Sequence, residues 1–391
     1  KLFVACLAIF GACAASAFVL SSSNLEHTTF AVVGAADMAT TLKVTMSLTK
    51  SNDATMTKLF NEVSDPKSAR YGQFLSTEEV QAMTRPSKES VKAVESFLLE
   101  HDVEFTTSPM GHTITLEPTV AQASKMFGAN FSLVVSESTK QTATVGDKVT
   151  LPASLSAHVE AVYGVHGLPL PPRKNVRLSA GTPADVTPAV LKSTYNIGGV
   201  TVSRGTKNRI GVLEFQGQLM SQKDLTTFFT KYVPNAQSGD DQVYKYVSDQ
   251  SQGEGVEANL DVQYVMGVAT GVKTEMWQYA NSDFCGDLKT WTSGALNTTN
   301  PPTVFTVSYG WQGDMSQLGC STAQIAAIDA DFKSMSVAGM TIIFASGDSG
   351  SGSTGGIFSA TKLYASWPAS SLYVTAVGAT RFQNQQVGQP E

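Results

Sequence analysis

The feature that most constrains the fold is an alternation of apolar strand-like segments with helical segments after residue 208. The strand-like segments lie at 209–215, 303–310, 341–345 and 371–377. Segments with helical spacing separate them at 256–269 and 322–338. Near-continuous apolar strands separated by helices favour a parallel sheet that is covered on both faces. Functional groups in such sheets gather at the carboxyl ends of the strands.

The part of the chain between residues 40 and 166 has a different pattern, which is typical of an α+β unit. Strand-like alternation occurs at 41–48 and 112–116. Segments with helical spacing occur at 54–64, 87–100 and 119–127. Two different hydrophobic patterns in one chain of 391 residues predict two domains.

A proline-rich, basic stretch separates the two patterns and reads Leu168-Pro169-Leu170-Pro171-Pro172-Arg173-Lys174. Proline removes backbone donors and favours extended chain, so the stretch predicts a linker. Its exposed basic residues are open to proteolysis, and a cut there would separate a propeptide from an enzyme. A passive tether between domains is the alternative. The predicted boundaries are 1–17 for a signal peptide, 18–167 for the N-terminal domain, 168–188 for the linker with its processing site, and 189–391 for the α/β domain.

The first residues predict a secretory signal peptide. Lys1 precedes a short apolar run that ends in the small residues Ala15, Ser16 and Ala17. The run is short for a membrane span, so we expect a secreted or lysosomal/vacuolar protein without a membrane partner. A formal net charge of −6 argues against a nucleic-acid partner. Because the chain starts without Met and stops at Glu391 without a terminal element, we expect it to be a fragment.

Cysteine usage agrees with secretion. Removal of the signal peptide leaves Cys285 and Cys320, for which an oxidising compartment favours a disulfide. Two separate thiols, or pairing with a cysteine beyond residue 391, are the alternatives. The sequons that begin at Asn130 and Asn297 are candidate glycosylation sites.

The histidines all precede the linker, at His27, His101, His112, His158 and His166. A Ser-His-Asp hydrolase would need its base in the α/β domain, so a base in that domain is expected to be a carboxylate. Because histidine charges near pH 6.5, we also hypothesise that acid releases the N-terminal domain.

Glu257 and Asp261 are the candidate carboxylates. Their i,i+4 spacing puts both on one helical face. In a partly buried cleft such a pair shares a proton and one pKa rises, which gives a general base that works in mildly acidic surroundings. A solvated acidic face is the alternative.

Asp348 follows the apolar strand 341–345 and is a candidate oxyanion donor. If its carboxyl is protonated, its O–H could donate to a developing oxyanion. A glycine-rich turn that uses Asp348 for its own backbone is the alternative. The sequence Gly347-Asp348-Ser349-Gly350 also resembles a chymotrypsin-type nucleophile motif, but the parallel pattern and the missing histidine argue against Ser349 in that role.

Several motifs together resemble the sedolisin family of serine-carboxyl peptidases, in family order from about residue 40 to 385. They are Ser64-Asp65-Pro66-Lys67-Ser68-Ala69-Arg70-Tyr71-Gly72-Gln73-Phe74-Leu75-Ser76 in the prosegment, Glu257-Ala258-Asn259-Leu260-Asp261-Val262-Gln263-Tyr264, Thr306-Val307-Ser308-Tyr309-Gly310, Phe344-Ala345-Ser346-Gly347-Asp348-Ser349-Gly350, and Trp367-Pro368-Ala369-Ser370-Ser371 with Val374-Thr375-Ala376-Val377-Gly378.

The resemblance implies a subtilisin-like parallel sheet with helices on both faces, preceded by an α+β, ferredoxin-like activation prodomain that caps the active site. It implies that Glu257 is the general base, that Asp261 orients it and that Asp348 completes the oxyanion hole. The backbone of Ser308, Tyr309 and Gly310 would bind an extended peptide. The implied partners are a peptide or unfolded protein substrate and the protein's own prodomain as an intramolecular inhibitor.

The family's nucleophile lies in a Ser-Gly-Thr-Ser motif that is followed by a calcium site, and neither occurs in this sequence. The resemblance therefore implies peptidase activity and a calcium cofactor for a complete protein, with the serine and the calcium ligands outside this chain. It leaves endopeptidase and tripeptidyl-peptidase activity undistinguished. The alternative is a catalytically inactive secreted relative that binds peptides or acts as an inhibitor-like protein.

Overall fold

A computed structural model describes residues 16–23, 25, 28–137, 139–171, 185–199, 208–279, 283–351, 363–383 and 387. Most of the predicted signal peptide, residues 172–184 of the predicted linker, and His27 lie outside the described residues. Within the described residues, no helix is both long and apolar enough to cross a membrane.

The N-terminal domain contains most of the short strands. In chain order its elements are β1 (Ala17–Ser22), β2 (Phe30–Ala35), β3 (Val44–Leu48), α1 (Asp53–Ser64), α2 (Thr77–Thr84), α3 (Lys88–Glu100), β4 (Phe105–Thr107), β5 (Thr113–Leu116), α4 (Val120–Phe127), β6 (Phe131–Ser136), β7 (Thr142–Gly146), β8 (Lys148–Pro152) and β9 (Val159–Tyr163).

The central sheet of this domain has the strand order β4-β5-β3-β9, and each neighbouring pair is antiparallel. That order, with helices between β3 and β4 and between β5 and β9, is the ferredoxin-like βαββαβ arrangement. Met46 and Ile114 of the sheet share one buried cluster with Val94 and Leu98 of α3 and Phe127 of α4. The predicted α+β, ferredoxin-like domain is therefore confirmed.

The C-terminal domain alternates strands and helices. Its elements are α5 (Pro188–Thr194), β10 (Arg209–Glu214), α6 (Gln222–Tyr232), β11 (Lys245–Ser248), α7 (Val256–Val268), β12 (Lys273–Gln278), α8 (Phe284–Asn297), β13 (Val304–Val307), α9 (Thr322–Val337), β14 (Thr341–Ala345) and β15 (Thr375–Val377). The sequence analysis did not predict α6, β11, β12 or α8.

The six strands that the described residues of this domain form make one parallel sheet in the order β11-β12-β10-β13-β14-β15. Adjacent residues of a strand face opposite sides, so Val212 packs in the cluster of α6 and α7 whereas Leu213 packs in the cluster of α8 and α9. Met276 and Trp277 of β12 divide in the same way. Helices therefore cover both faces, which confirms the predicted parallel α/β class.

Two predicted strands are shorter than expected. The sheet ladder of β13 ends at Val307, because Trp311 pairs instead with Trp367 through N···O distances of 2.9 and 3.0 Å. Gly310 lies so close to Trp367 that an added Cβ would meet its carbonyl oxygen at 2.9 Å. Residues 371–374 form a turn, so β15 begins only at Thr375.

The N-terminal domain packs against α8 and α9 of the C-terminal domain. Helix α1 and strand β9 contact α9, and α2 contacts α8. Gln324 of α9 donates from Nε2 to the carbonyl of Val162 at 2.7 Å, and its own carbonyl accepts from the Tyr163 hydroxyl at 3.0 Å. The edge strand β9 is therefore fixed to the first turn of α9.

Candidate active site

Helix α7 carries the two predicted carboxylates one turn apart. Glu257 lies in its first turn and Asp261 in its second, and both are half-buried. Two hydrogen bonds anchor the start of the helix. The Oε1 of Gln218 accepts from the Glu257 backbone N–H at 3.2 Å. The Oδ1 of Asn259 accepts from the backbone N–H of Ser221 at 2.9 Å. Both side chains are only partly accessible to solvent, and their role as a catalytic pair stays a prediction.

A third acid, Glu214, lies beside this helix. It is the last residue of β10 and is fully buried. The Tyr309 hydroxyl donates to Glu214 Oε2 at 3.0 Å and lies 3.3 Å from the carbonyl oxygen of Phe215. Burial raises the pKa of Tyr309, and the negative charges of Glu214 and Glu257 raise it further. Tyr309 is therefore a neutral donor that lies within electrostatic range of both acids.

Sequence reasoning missed Glu214, although a signal for it was present. It is the carboxyl-terminal residue of an apolar strand, which is where parallel sheets place functional groups. Its partner Tyr309 lies 95 positions further along the chain. Only the neighbouring positions of β10 and β13 in the sheet bring the two together.

The segment Ser308–Gly310 follows β13 and continues from the sheet edge. Tyr309 points into the core, and its ring meets that of Phe215 edge-on at 5.1 Å. The chain at Gly310 lies directly against the backbone of Trp367, so there is no room for a Cβ at this position. This placement fixes the segment that the resemblance associates with peptide binding.

Asp348 follows β14, the neighbour of β13, so it lies at the same edge of the sheet. Its turn uses left-handed glycines, with φ of +96° at Gly347 and +58° at Gly350. The side chain of Asp348 is exposed among the described residues. Its convergence with Glu257 and Asp261 in one cleft, and its protonation, stay predictions.

The predicted disulfide is confirmed. Cys285 and Cys320 are bonded with a Cα–Cα distance of 5.9 Å. The bond joins the start of α8 to the residue before the N-cap of α9, beside the exit of the N-terminal domain. The candidate glycosylation residues Asn130 and Asn297 are both exposed, so glycosylation there stays a prediction.

The exit segment of the N-terminal domain, Leu168–Pro171, lies along the carboxyl edge of the sheet. Leu168 donates to the carbonyl of Leu318 at 2.9 Å and accepts from the Phe284 N–H at 3.2 Å. Gln216, just beyond β10, donates to the carbonyl of Leu170 at 2.7 Å. Thus the exit segment reaches the strand ends, whereas the body of the domain packs on α8 and α9 and leaves Asp348 exposed.

A cluster of buried charges joins the two domains. Asp331 of α9 accepts from Lys50 of the N-terminal domain at 2.7 Å and from Lys289 of α8 at 2.8 Å. Thr292 also donates to Asp331, at 2.6 Å. Burial alone would raise the pKa of Asp331, but Lys289 and Lys50 outweigh it and hold that pKa well below its usual range. Asp331 therefore stays ionised in mildly acidic surroundings and is not itself an acid trigger.

His112 lies beside this cluster and is predicted to make stability pH-dependent. Its Nε2 lies 2.9 Å from the Thr84 hydroxyl, and a small cavity next to the ring is lined by Lys50, Lys289 and Asp331. Burial and then the charge of Lys50 lower its pKa to about 4. The folded protein therefore keeps the ring neutral while the unfolded chain takes up a proton below pH 6.5. The free energy of unfolding falls by about 3 kcal/mol between pH 6.5 and 4 on this account.

The test compares urea unfolding of the wild-type chain and His112→Gln at pH 7 and pH 4. The stability advantage of the wild type should shrink by about 3 kcal/mol at the lower pH. His101→Gln is the matched control, because His101 contacts Phe97 within the N-terminal domain. An advantage that is equal at both pH values would contradict the prediction.

The resemblance implies calcium for a complete protein. Among the described residues, no group of three or more His, Cys, Asp or Glu side chains could hold a metal ion. The described residues therefore do not fit a calcium site.

Comparison with known proteins adds a family and a set of relatives. The family described as Pro-kumamolisin, activation domain matches residues 28–168. Tripeptidyl-peptidase 1 of Macaca fascicularis and that of Homo sapiens are each 31% identical to this chain over 365 residues, which is 90% of this chain and 63% of theirs. Tripeptidyl-peptidase 1 of Rattus norvegicus is 31% identical over 368 residues, 90% of this chain and 64% of its own. The chain thus spans less than two thirds of the length of these relatives.

One solved structure that resembles this chain is a variant of the epidermin leader peptide processing serine protease from Staphylococcus aureus. The similarity covers 87% of this chain and 70% of the protease chain. Its TM-score is 0.42 at 12% sequence identity. That likeness is weak, and the sheet order described above stands without it.

Proposed function

We propose that the chain belongs to the sedolisin family of serine-carboxyl peptidases and that the full-length protein is a serine-type peptidase zymogen that hydrolyses peptide bonds in acid surroundings. The observation that carries the proposal is the acid pair Glu257 and Asp261 on α7, of which Glu257 lies within electrostatic range of Tyr309, whose hydroxyl donates to the buried Glu214. Carboxylates next to a peptide-binding segment suit a peptidase whose general base is not histidine.

In the proposed reaction a serine from a segment beyond residue 391 is the nucleophile. Its Oγ attacks the carbonyl carbon of the scissile bond while its proton moves to a carboxylate oxygen of Glu257. Asp261 orients Glu257, and a protonated Asp348 donates to the oxyanion of the tetrahedral intermediate. The C–N bond then breaks, and the leaving amine takes the proton from Glu257. Water hydrolyses the acyl-enzyme by the same sequence.

The substrate in this proposal is an extended peptide that pairs with the backbone of Ser308, Tyr309 and Gly310. The support is the position of this segment between β10 and β14, where it leaves the sheet and presents backbone beyond the last ladder bond. The proposal covers both endopeptidase and tripeptidyl-peptidase activity. A peptide with a free amino terminus and the same peptide with an acetylated one distinguish the two.

The N-terminal domain is proposed to inhibit the enzyme until it is released. In its exit segment, Leu168 bonds to Phe284 and Leu170 bonds to the side chain of Gln216. Gln216 precedes by two residues Gln218, whose side chain anchors the start of α7. Leu168 and Leu170 are both buried in this position. A chain held there restricts access to the edge that carries Glu257. The same proposal places the protein on the secretory or lysosomal route, where acid surroundings are available.

Acidification of the full-length protein is predicted to cut the chain between residues 168 and 188. The reason is that this stretch joins the two packed domains and its sequence contains basic residues. Amino-terminal sequencing of the mature chain checks the position of the cut. A mature chain that starts well outside this window would contradict the prediction. A protein that stays intact in acid and binds peptides without cleaving them would instead support the non-catalytic alternative.

A further inference from the structure

The side chain of Gln312 links the peptide-binding segment to the turn that carries Asp348. Its Nε2 donates to the carbonyl of Gly350 at 2.8 Å and lies 3.2 Å from the carbonyl of Tyr364. Its Oε1 is buried and has no hydrogen-bond partner among the described residues. Because both contacts of Nε2 are carbonyl oxygens, the orientation of the amide is fixed by its hydrogen bonds. One side chain therefore links its own stretch of the chain to two others, at Gly350 and at Tyr364.

The Asp348 turn packs directly on this amide. An added Cβ at Gly347 would meet Gln312 Oε1 at 3.2 Å and Ser366 Cβ at 3.4 Å. The turn enters from β14, where Ser346 donates to the carbonyl of Val377 at 3.0 Å. Gln312 therefore lies against the first glycine of the turn and binds the carbonyl of the last one.

Little else among the described residues restrains Asp348. Its side chain is exposed, and the glycines at 347 and 350 carry no side chain that could pack. Glycine loses more conformational freedom on folding than any other residue type. A turn of this kind keeps one position only if an external contact fixes its backbone, and Gln312 supplies that contact.

We propose that Gln312 is a positioning residue for the oxyanion donor Asp348, an inference that rests on the proposed peptidase function. Gln312 follows Gly310 by two residues, so it sets the distance between the backbone that binds the peptide and the carboxyl that stabilises the oxyanion. Donors to an oxyanion act because they are preorganised, and a displacement of about 1 Å can cost about a hundredfold in rate.

The chemistry of the side chain suits this role. Two carbonyl oxygens need two N–H donors, and a primary amide is the uncharged group that offers both. A carboxylate at the same position would face the carbonyls of Gly350 and Tyr364 with lone pairs only. A protonated carboxyl would restore one of the two hydrogen bonds. Gln312→Glu should therefore lower kcat in a way that depends on pH.

The experiment measures kcat and KM for peptide hydrolysis by the full-length protein carrying Gln312→Leu, Gln312→Glu or Asp348→Ala. Gln312→Leu should lower kcat by about 30- to 100-fold with KM changed less than about threefold, because the turn and not the peptide segment is released. Gln312→Glu should recover at least about fivefold of that loss when the pH falls below about 4.3, the ordinary pKa of a glutamic acid. Gln317→Leu is the matched control, since the backbone N–H of Gln317 donates to the carbonyl of Asp314 and this bond does not use the side chain. It should keep wild-type kcat.

Three outcomes overturn the inference, and they separate it from the function on which it rests. Wild-type kcat in Gln312→Leu together with an inactive Asp348→Ala removes the positioning role and leaves the peptidase function intact. Full activity in Asp348→Ala removes the proposed oxyanion role, and the positioning inference with it. If Gln312→Leu does not fold, Gln312→Glu carries the test, and a kcat loss that is the same at every pH contradicts the proposal.

Discussion

Replacing Glu257 by glutamine in the full-length protein is expected to lower kcat/KM for peptide hydrolysis in acid by about a thousandfold. Glutamine keeps the size of the side chain and its place in the first turn of α7, but its amide cannot take a proton from a serine hydroxyl. A thousandfold loss corresponds to about 4 kcal/mol of transition-state stabilisation. The measurement is the rate of cleavage of a reporter peptide across the acid range, after release of the N-terminal domain.

The matched control is Glu254→Gln. Glu254 lies just before α7 on the same stretch of chain and is exposed, so its replacement should leave the rate unchanged. Thermal unfolding of both variants shows whether α7 stays in place. A Glu257→Gln enzyme that keeps wild-type activity would place the general base elsewhere and would contradict the proposed mechanism.

Asp331→Asn is expected to lower the free energy of unfolding of this chain by about 3 to 5 kcal/mol at pH 7. The variant leaves Lys289 fully buried without its carboxylate, and it removes the closest acid from Lys50. Lys50 keeps only Glu160, at 3.9 Å, among the ion-pair partners that the described residues give it. Burial already lowers the pKa of Lys289 despite Asp331, so this lysine should lose its charge most readily once the carboxylate is gone.

Urea unfolding of the 391-residue chain measures the effect. Adding Lys289→Met to Asp331→Asn should restore part of the lost stability. The second change removes the buried charge that the first change leaves without a partner. The control is Glu62→Gln, which breaks the partly exposed pairs with Arg70 and Lys58 and should cost less than about 1 kcal/mol. An Asp331→Asn variant as stable as the Glu62→Gln variant would show that the cluster contributes no more than a surface ion pair.

Local pattern gave much of the candidate site. The i,i+4 spacing of Glu257 and Asp261 needs only a helix, and α7 forms where the spacing predicted it. The apolar strand before Asp348 likewise forms as β14. The pairing of Cys285 with Cys320 was expected from the count of the cysteines that remain after the predicted signal peptide. These features are local or numerical, so the sequence carries them without a fold.

Other elements could not be predicted because their patterns are weak. Strand β11 has only half-buried and exposed residues, so it lacks the apolar run that marks a central strand. Helix α8 carries the buried polar residues Asp287, Lys289 and Thr292, which blur the apolar stripe of a helix. Lys289 and Thr292 are buried with satisfied polar groups because both bond to Asp331 of the neighbouring helix. That pairing is a property of the packed helices and leaves no trace in the local pattern.

The sequence by itself determined the two domain classes, the carboxylates on α7 and the disulfide, because periodicity, spacing and cysteine count are properties of the chain. Only the tertiary structure decided that Glu214 meets Tyr309, that Asp331 joins Lys50 to Lys289, and that Gln312 holds the turn of Asp348. Each of these contacts joins stretches that are distant in sequence. The order of strands in the sheet and the docking of one domain on another bring them together, and no local pattern encodes either.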